Sequence, residues 1–466
     1  MGKSVRTLGV FLLVMLITGS IDSIRNLPAT ALFGSTMIFF FVLSAIVFLI
    51  PAGLVSAELS SAWTERGGIY DWVRMAFGER VAFIAIWLQW INTMVWYPTI
   101  LSFVAGTIAF IVDPQLAENK VYLVSVILIV FWSLTLLNFR GIQTSARFAS
   151  FCAIVGMLIP MGIIIALLVV WLIKGQPVHV HFTMATSFPR LGHTESWVSL
   201  TAIMTAFLGM ELATVHVRNV NDAQRTFPLA LGISAVFILL TMVLGSLAIA
   251  VVLPHDSINL VDGVMQAYSE FLSHYHLSFL LPVLAMLLLI GSIGGMINWI
   301  ISPAKGLLRA AQHGYFPHFL AKENKRGVAS RVLLLQAILV TVICLAFLLM
   351  PSVNGSYWLL TDLSTELYMI MYVFMFLAAL RLRYKYSHVE RPFKIPGGNS
   401  GMWIVALLGI FGCLITLWVG FFPPDSIDVG GVAHYHKIFG LGIVVMILPV
   451  LIFFAYNRFV YKADSE

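Results

Sequence analysis

Six ionisable side chains interrupt long apolar stretches of this sequence: Asp22, Arg25, Glu58, Glu211, Asp362 and Glu366. At bilayer depth a carboxylate costs roughly 2.5–3.5 kcal/mol on insertion scales, so such a residue is a functional candidate by default. Asp22 can pair with an ammonium group, cap the helix that follows it, or form an ion pair with Arg25 three residues on. Arg25 can hold a carboxylate with two parallel hydrogen bonds, or simply neutralise Asp22. Glu211 stands two residues after Gly209, where a bare backbone lets carbonyls approach a cation. Tyr368 and Tyr372 are spaced i, i+4, so a helix would present both hydroxyls on one face. Trp299 and Phe207 are rings large enough to close over a bound cation. Asp362 and Glu366, early in the same apolar run as the two tyrosines, read as interfacial. No His-Glu-x-x-His, no Gly-x-Ser-x-Gly and no acidic cluster with metal-ligand spacing is present, which disfavours a membrane-embedded enzyme. No metal and no cofactor is expected.

The chain that must position these residues has 466 residues, 60% hydrophobic and 10% charged. Soluble domains carry about 25% charged residues, so a soluble enzyme, a disordered chain and a nucleic-acid binder are all disfavoured. Cys152, Cys344 and Cys413 lie in apolar runs and imply no disulfide framework. A membrane helix needs about 20 apolar residues. Twelve spans of that kind run roughly over 7–33, 36–60, 80–111, 121–138, 147–173, 196–219, 227–253, 278–302, 331–350, 356–383, 402–421 and 437–460. The loops between them are short, which predicts one transmembrane domain and no soluble one. Lys3 and Arg6 precede an apolar core ending at Thr18-Gly19-Ser20, a signal-peptide-like start. The apolar pattern resumes through Leu27 and Ala31, and a first span is the preferred reading. With the N-terminus inside, 22 of the 27 Lys and Arg fall on the inner side, so the positive-inside rule places both termini in the cytoplasm. The pI of 9.2 reflects that bias.

Two spans read as broken. In the first, Thr18, Gly19, Ser20, Ile21 and Ser23 surround Asp22, and Arg25 and Pro28 follow. Gly and Ser loosen the helical ladder, Asp or Ser caps a new half-helix, and Pro removes a donor. The sixth places Gly209 beside Glu211 at mid-span. Interrupted helices five spans apart match a pair of five-helix inverted repeats, whose breaks meet near the midplane and offer backbone groups to a ligand.

Four segments then resemble a known family. Pro51 to Leu59, followed by Glu65-Arg66-Gly67-Gly68, Tyr70 and Trp72, resembles the second-helix signature of amino acid permeases. Phe207, Gly209 and Glu211, with Asn219 and Gln224 to Ala230, resemble the sixth-helix signature. Trp299, Pro303 to Gly306, Gly314 and Pro317 resemble the eighth, and Arg391 to Gly398 the loop before the eleventh. The match runs nearly end to end with the amino acid–polyamine–organocation superfamily, and most strongly with its glutamate/γ-aminobutyrate antiporters. The resemblance implies an all-α integral membrane protein of twelve transmembrane helices with a LeuT-like 5+5 inverted repeat and broken helices 1 and 6. Repeat one would span about 7–173, repeat two about 196–383, and two peripheral helices about 402–460.

The resemblance also distributes roles. It implies a substrate site at Thr18, Gly19, Ser20, Ile21, Asp22, Ser23, Arg25, Phe207, Gly209, Glu211, Trp299, Tyr368 and Tyr372. Glu58, with Glu65 and Arg66, would be structural or form an inner gate. An acid at position 22 departs from relatives that present backbone N–H groups to a substrate carboxylate there, and relatives that exchange glutamate can carry a tyrosine where Arg25 stands. Glutamate-type relatives also carry an acid where this chain has Gly295, which would enlarge the pocket. No dense hydroxyl cluster surrounds Ser292 and Ser302, and no lysine lies between Arg147 and Lys174. Both absences disfavour the sodium and lysine-coupled mechanisms of other members. The expectation is a sodium-independent exchanger of amino acids or their decarboxylated amines in a bacterial inner membrane. Proton symport and a non-transporting nutrient sensor are the alternatives. No nucleic acid and no obligatory protein partner is expected. Eight histidines, 179, 181, 193, 255, 274, 276, 434 and 436, fall on the outer side and would charge as pH falls through roughly 6.5. The resemblance implies a C-terminal plug in glutamate antiporters, for which this chain ends too soon.

Overall fold

The computed structural model describes residues 9–64, 68–140, 146–189, 197–212, 214, 220, 222–312, 320 and 322–463. Among these, eleven helical segments are long and apolar enough to cross a membrane. A backbone in hydrocarbon must satisfy its own N–H and C=O groups, which leaves the helix as the form these sequences take. The first crossing is α1 (Val10–Ile21) continued by α2 (Leu27–Ala31). Next come α3 (Thr36–Ala62), a short surface helix α4 (Ile69–Phe77), α5 (Glu79–Val112), α6 (Lys120–Phe139) and α7 (Phe151–Ile173). Then follow α8 (Ser199–Ala206), α9 (Ala223–Val252) and a non-spanning α10 (Gly263–His274). Last come α11 (Leu281–Gln312), α12 (Ser330–Leu349), α13 (Val353–Lys385), α14 (Gly398–Val419) and α15 (Val432–Ala463).

Burial separates centre from rim. In α13, 78% of the best spanning window is buried inside the protein, against 11% in α15. The most buried spans are α13, α5, α3 and the first crossing; α15 turns most of its surface outward. Contacts between α7 and α11 rest on glycine: a Cβ on Gly156 would overlap the backbone of Gly291. Short π-helical turns at Ala45–Leu49 and Ile154–Leu158 precede Pro51 and Pro160, where the ring removes a ladder donor.

Three expectations change. The sixth span, 196–219, is seen as α8 followed by a turn over 207–211; residues 196, 213 and 215–219 lie outside the described residues, as do Glu65, Arg66, Gly314 and Pro317. Within the stretch 18–23 read as the first-helix break, the interruption falls at its end. The helix persists through Ile21, and Asp22 (ψ 128°) and Ser23 (φ −145°, ψ 110°) are extended. A single Gly inside an apolar helix costs only about 1 kcal/mol, too little to break it, and a Cβ at Gly19 would lie 3.1 Å from the Ala153 Cβ, so helix packing accounts for it. Asp362 and Glu366 are not interfacial; they are 1% and 0% exposed.

Candidate functional site

The two breaks meet. Gly209 has φ +108°, a left-handed conformation that favours glycine, and the position of its absent Cβ is 3.6 Å from Ile21 Cγ1. The chain therefore turns sharply after α8 and lays its loop against the end of α1.

Glu211, 1% exposed, is held by that turn inside a cage of donors. Tyr368 donates to Oε1 at 2.5 Å and Gln89 Nε2 donates to the same oxygen at 3.2 Å. Tyr372 donates to Oε2 and accepts from the Gly209 N–H at 3.0 Å. The i, i+4 spacing on α13 thus delivers both hydroxyls to one carboxyl, and Tyr372 also pins the backbone break. With both oxygens engaged, Glu211 ties α8, α5 and α13 together.

Asp22 and Arg25 diverge. Had the helix continued, positions three apart would share a face. The extended residues at 22–23 send the side chains to different helices. Asp22 Oδ2 accepts from Thr241 of α9 at 2.8 Å, while Oδ1 has no partner and the residue is 3% exposed. Arg25 donates from Nη1 to Thr99 of α5 at 2.7 Å, and its Cζ lies 4.9 Å above the ring of Trp96. Its Nε has no partner, and no carboxylate of the described residues lies within 4 Å of it. Tyr357 of α13 donates to its carbonyl at 3.4 Å.

Trp299 joins this second group. Its ring lies 5.2 Å from Trp96, and its carbonyl accepts from Tyr97 at 2.7 Å. Arg25, Trp96 and Trp299 form a column from the first crossing through α5 to α11. Gln89 and Trp96 are two turns apart on α5, about 10 Å of axial rise, so one face of α5 links the Glu211 cage to the arginine column. Phe207 is fully buried and edge-on to Phe41 at 5.8 Å, a packing role. Thr18 is buried; its carbonyl accepts from the Asp22 N–H at 2.8 Å and its hydroxyl has no partner. Ser23 closes the following turn by accepting from Asn26, and the Ser20 side chain lies outside the described ones. Gly295 borders open space, with nothing within 4 Å of where a Cβ would sit.

At the end of the bundle where α1 starts, Glu58 receives Arg383 from α13, Arg391 at 3.2 Å and the Ile395 N–H at 2.9 Å. The fully buried carboxylate fastens α3 to α13 and to the loop before α14. The opposite end holds a cavity of about 560 Å³ lined by residues 31–36, the start of α8 and His179, His181 and His255. There Asp262 precedes α10, 3% exposed, its Oδ1 unpartnered; burial, reinforced by Glu118, pushes its carboxyl up to about 7. Sequence reasoning missed Gln89, Trp96, Thr99, Thr241, Tyr357 and Asp262. All but Asp262 are polar or aromatic residues inside apolar runs, the one signal that marks them.

The whole chain has relatives. Residues 8–457 match the family model of amino acid permeases. An uncharacterized transporter of Legionella pneumophila is 41% identical over 93% of this chain and 93% of its own length. A glutamate/γ-aminobutyrate antiporter of Lactococcus lactis is 27% identical over 98% of this chain and 91% of its own. A probable agmatine/putrescine antiporter of the same species is 23% identical, covering 84% and 82%. A multi-pass helical membrane protein of this ancestry is a transporter and not an enzyme: the chain belongs to the amino acid permease family of the amino acid–polyamine–organocation superfamily.

Proposed function

We propose that this permease exchanges amino acids, or amino acids for their decarboxylated amines, without sodium and by alternating access across a bacterial inner membrane. Twelve crossings in a LeuT-like 5+5 arrangement, with both termini cytoplasmic, complete the reading. The substrate would lie where the breaks of the first and sixth crossings meet, beside Thr18, Ile21 and Gly209.

The observation that carries the substrate class is Arg25: a buried guanidinium stacked on Trp96, with only the neutral hydroxyls of Thr99 and Tyr357 beside it and no carboxylate within 4 Å among the described residues. A buried cation of that kind costs free energy unless an anion joins it. A substrate carboxylate supplies one, and the free oxygen of Asp22 is available to an ammonium. One unpaired acid and one unpaired base suit an amino acid better than a simple diamine. Glu211 has no spare oxygen and acts by fixing the sixth-helix turn. The Glu58 cluster fastens the end where α1 starts, and a cavity lies at the other.

Counterflow into proteoliposomes tests the reading. Vesicles loaded in parallel with glutamate, γ-aminobutyrate, arginine, putrescine or neutral amino acids would face labelled substrate without sodium. Uptake that needs a loaded interior, and favours a carboxylate-bearing partner, is expected. Uptake into empty vesicles driven by a pH gradient would replace exchange with proton symport, and a preference for putrescine would remove Arg25 from the substrate.

A further inference from the structure

Helix α13 carries a second acidic group on the face opposite the Glu211 cage. Glu366 and Tyr368 are two residues apart, about 200° around the helix. Asp362 and Glu366, one turn apart, instead face α14 and α15. Both approach the backbone at the end of α14: a Cβ on Gly420 would lie within 2.8 Å of an oxygen of each. Those two oxygens are therefore less than twice that distance apart. Tyr435 of α15 donates to the Asp362 Oδ2.

Among the described residues the remaining acceptors have no donor. Glu366 Oε1, Glu366 Oε2 and Asp362 Oδ1 are buried without a hydrogen-bond partner. The indole N–H of Trp358, one turn before Asp362 and 1% exposed, makes no hydrogen bond by geometry although it lies beside the Tyr435 hydroxyl. The elements packed on this stretch of α13 present Cys413 from α14, Tyr435 from α15, Thr205 from α8 beside Thr365, and Asn92 from α5 beside Ser364. No Lys, Arg or His among the described residues forms an ion pair with either carboxyl.

We propose that Asp362 and Glu366, closed by Tyr435 and backed by Gly420, form a proton-binding site outside the substrate pathway that makes the packing of α14 and α15 on α13 depend on pH. Two carboxylates this close in a dry interface repel, and one bound proton removes a charge. The same proton supplies the donor that the unpartnered oxygens lack. A metal cation would need room for several more oxygen ligands, and the Gly420 backbone occupies that side. Protons would arrive from the end of the bundle where the loop 420–431 joins α14 to α15.

Infrared spectroscopy of the intact protein in lipid, titrated in H2O and D2O, reads the site without any substrate, so it stands or falls apart from the exchange reading. On an Asp262→Asn background, which removes the buried acid at the cavity end, the protein should show a protonated-carboxyl band that shifts in D2O and disappears as pH rises, and adding Glu366→Gln should remove that band or lower its intensity. Counterflow by the wild type should fall by up to tenfold per pH unit on its alkaline limb, and Glu366→Gln should flatten that limb while staying within about twofold of wild type at acid pH. Asp362→Asn gives the same reading should Glu366→Gln not fold. On that background, a band unchanged in both variants, or none at all, would overturn the proposal. So would loss of the band on adding sodium or potassium at constant pH, which would make the pair a cation site.

Discussion

Asp262 offers a quantitative test of how burial acts at the end of the bundle that holds the cavity. Its carboxyl titrates near 7 in the folded protein and near 4 in an unfolded chain. The folded state then binds its proton more tightly than the unfolded state does. Stability is fully present below about pH 4, declines as pH rises, and is lowest above about pH 7. At 1.36 kcal/mol per pH unit, the loss reaches about 4 kcal/mol at pH 8 and only about 1.5 kcal/mol at pH 5. Water that reaches the site will reduce both figures, and the difference between them is the firmer quantity. Asp262→Asn keeps the shape and removes the charge. Denaturation midpoints of both proteins in detergent should converge near pH 4 and separate in favour of the variant as pH approaches 8. The packing gives this a mechanical consequence: a Cβ on Gly263 would meet Pro28 at 3.0 Å, so α10 rests on α2 beside the first break. A stability difference that does not change between pH 4 and pH 8 would refute the reasoning.

Other perturbations probe the remaining contacts. Glu58→Gln leaves Arg383 and Arg391 together without their anion, and breaking a buried pair costs about 3–5 kcal/mol; a clearly lowered denaturation midpoint is expected, and an unchanged one would reduce the cluster to surface chemistry. Tyr368→Phe removes one of two donors from Glu211 Oε1. Single hydrogen bonds within membranes average about 0.6 kcal/mol and reach about 1.7, so a modest stability loss and a counterflow rate within about tenfold of wild type are expected, whereas complete loss of transport with intact folding would place Tyr368 on the substrate. Asp22→Asn and Arg25→Gln, combined in a double-mutant cycle, should show stability coupling below about 0.5 kcal/mol because the residues share no contact; coupling of several times that would mean they pair.

The spans were legible because hydrocarbon permits few alternatives, and a run of apolar residues such as Ser330–Leu349 has only a helix to adopt. The Tyr368 and Tyr372 pairing was legible because i, i+4 geometry is local. The break was legible to within a turn because Gly, Ser and Asp weaken or cap a helix locally, while the contact of Asp22 with Thr241 across a helix interface was not. Gln89, Trp96 and Thr241 were hidden for the same reason: one sequence does not state which face of α5 or α9 turns inward. The burial of Asp362 and Glu366 was hidden as well, because the sequence does not state which face of α13 packs on α14 and α15.

One criterion sorts the buried acids: how many of a carboxyl's oxygens already have donors. Glu58 has two guanidinium groups and a backbone N–H, so its charge is neutralised and it serves as a fastener. Glu211 has three neutral donors and both oxygens engaged, which holds a strained turn but leaves nothing for a ligand. Asp22 has one oxygen engaged and one free at the junction of the two breaks, the state expected of a group that waits for a partner. Asp362 and Glu366 share one tyrosine donor among four oxygens in a space already filled by the end of α14, where the smallest missing partner is a proton. In a medium without water an ionised oxygen without a donor is costly, which singles out these carboxyls, and not the unpartnered hydroxyl and indole groups elsewhere in the bundle, as the places to test for a missing partner.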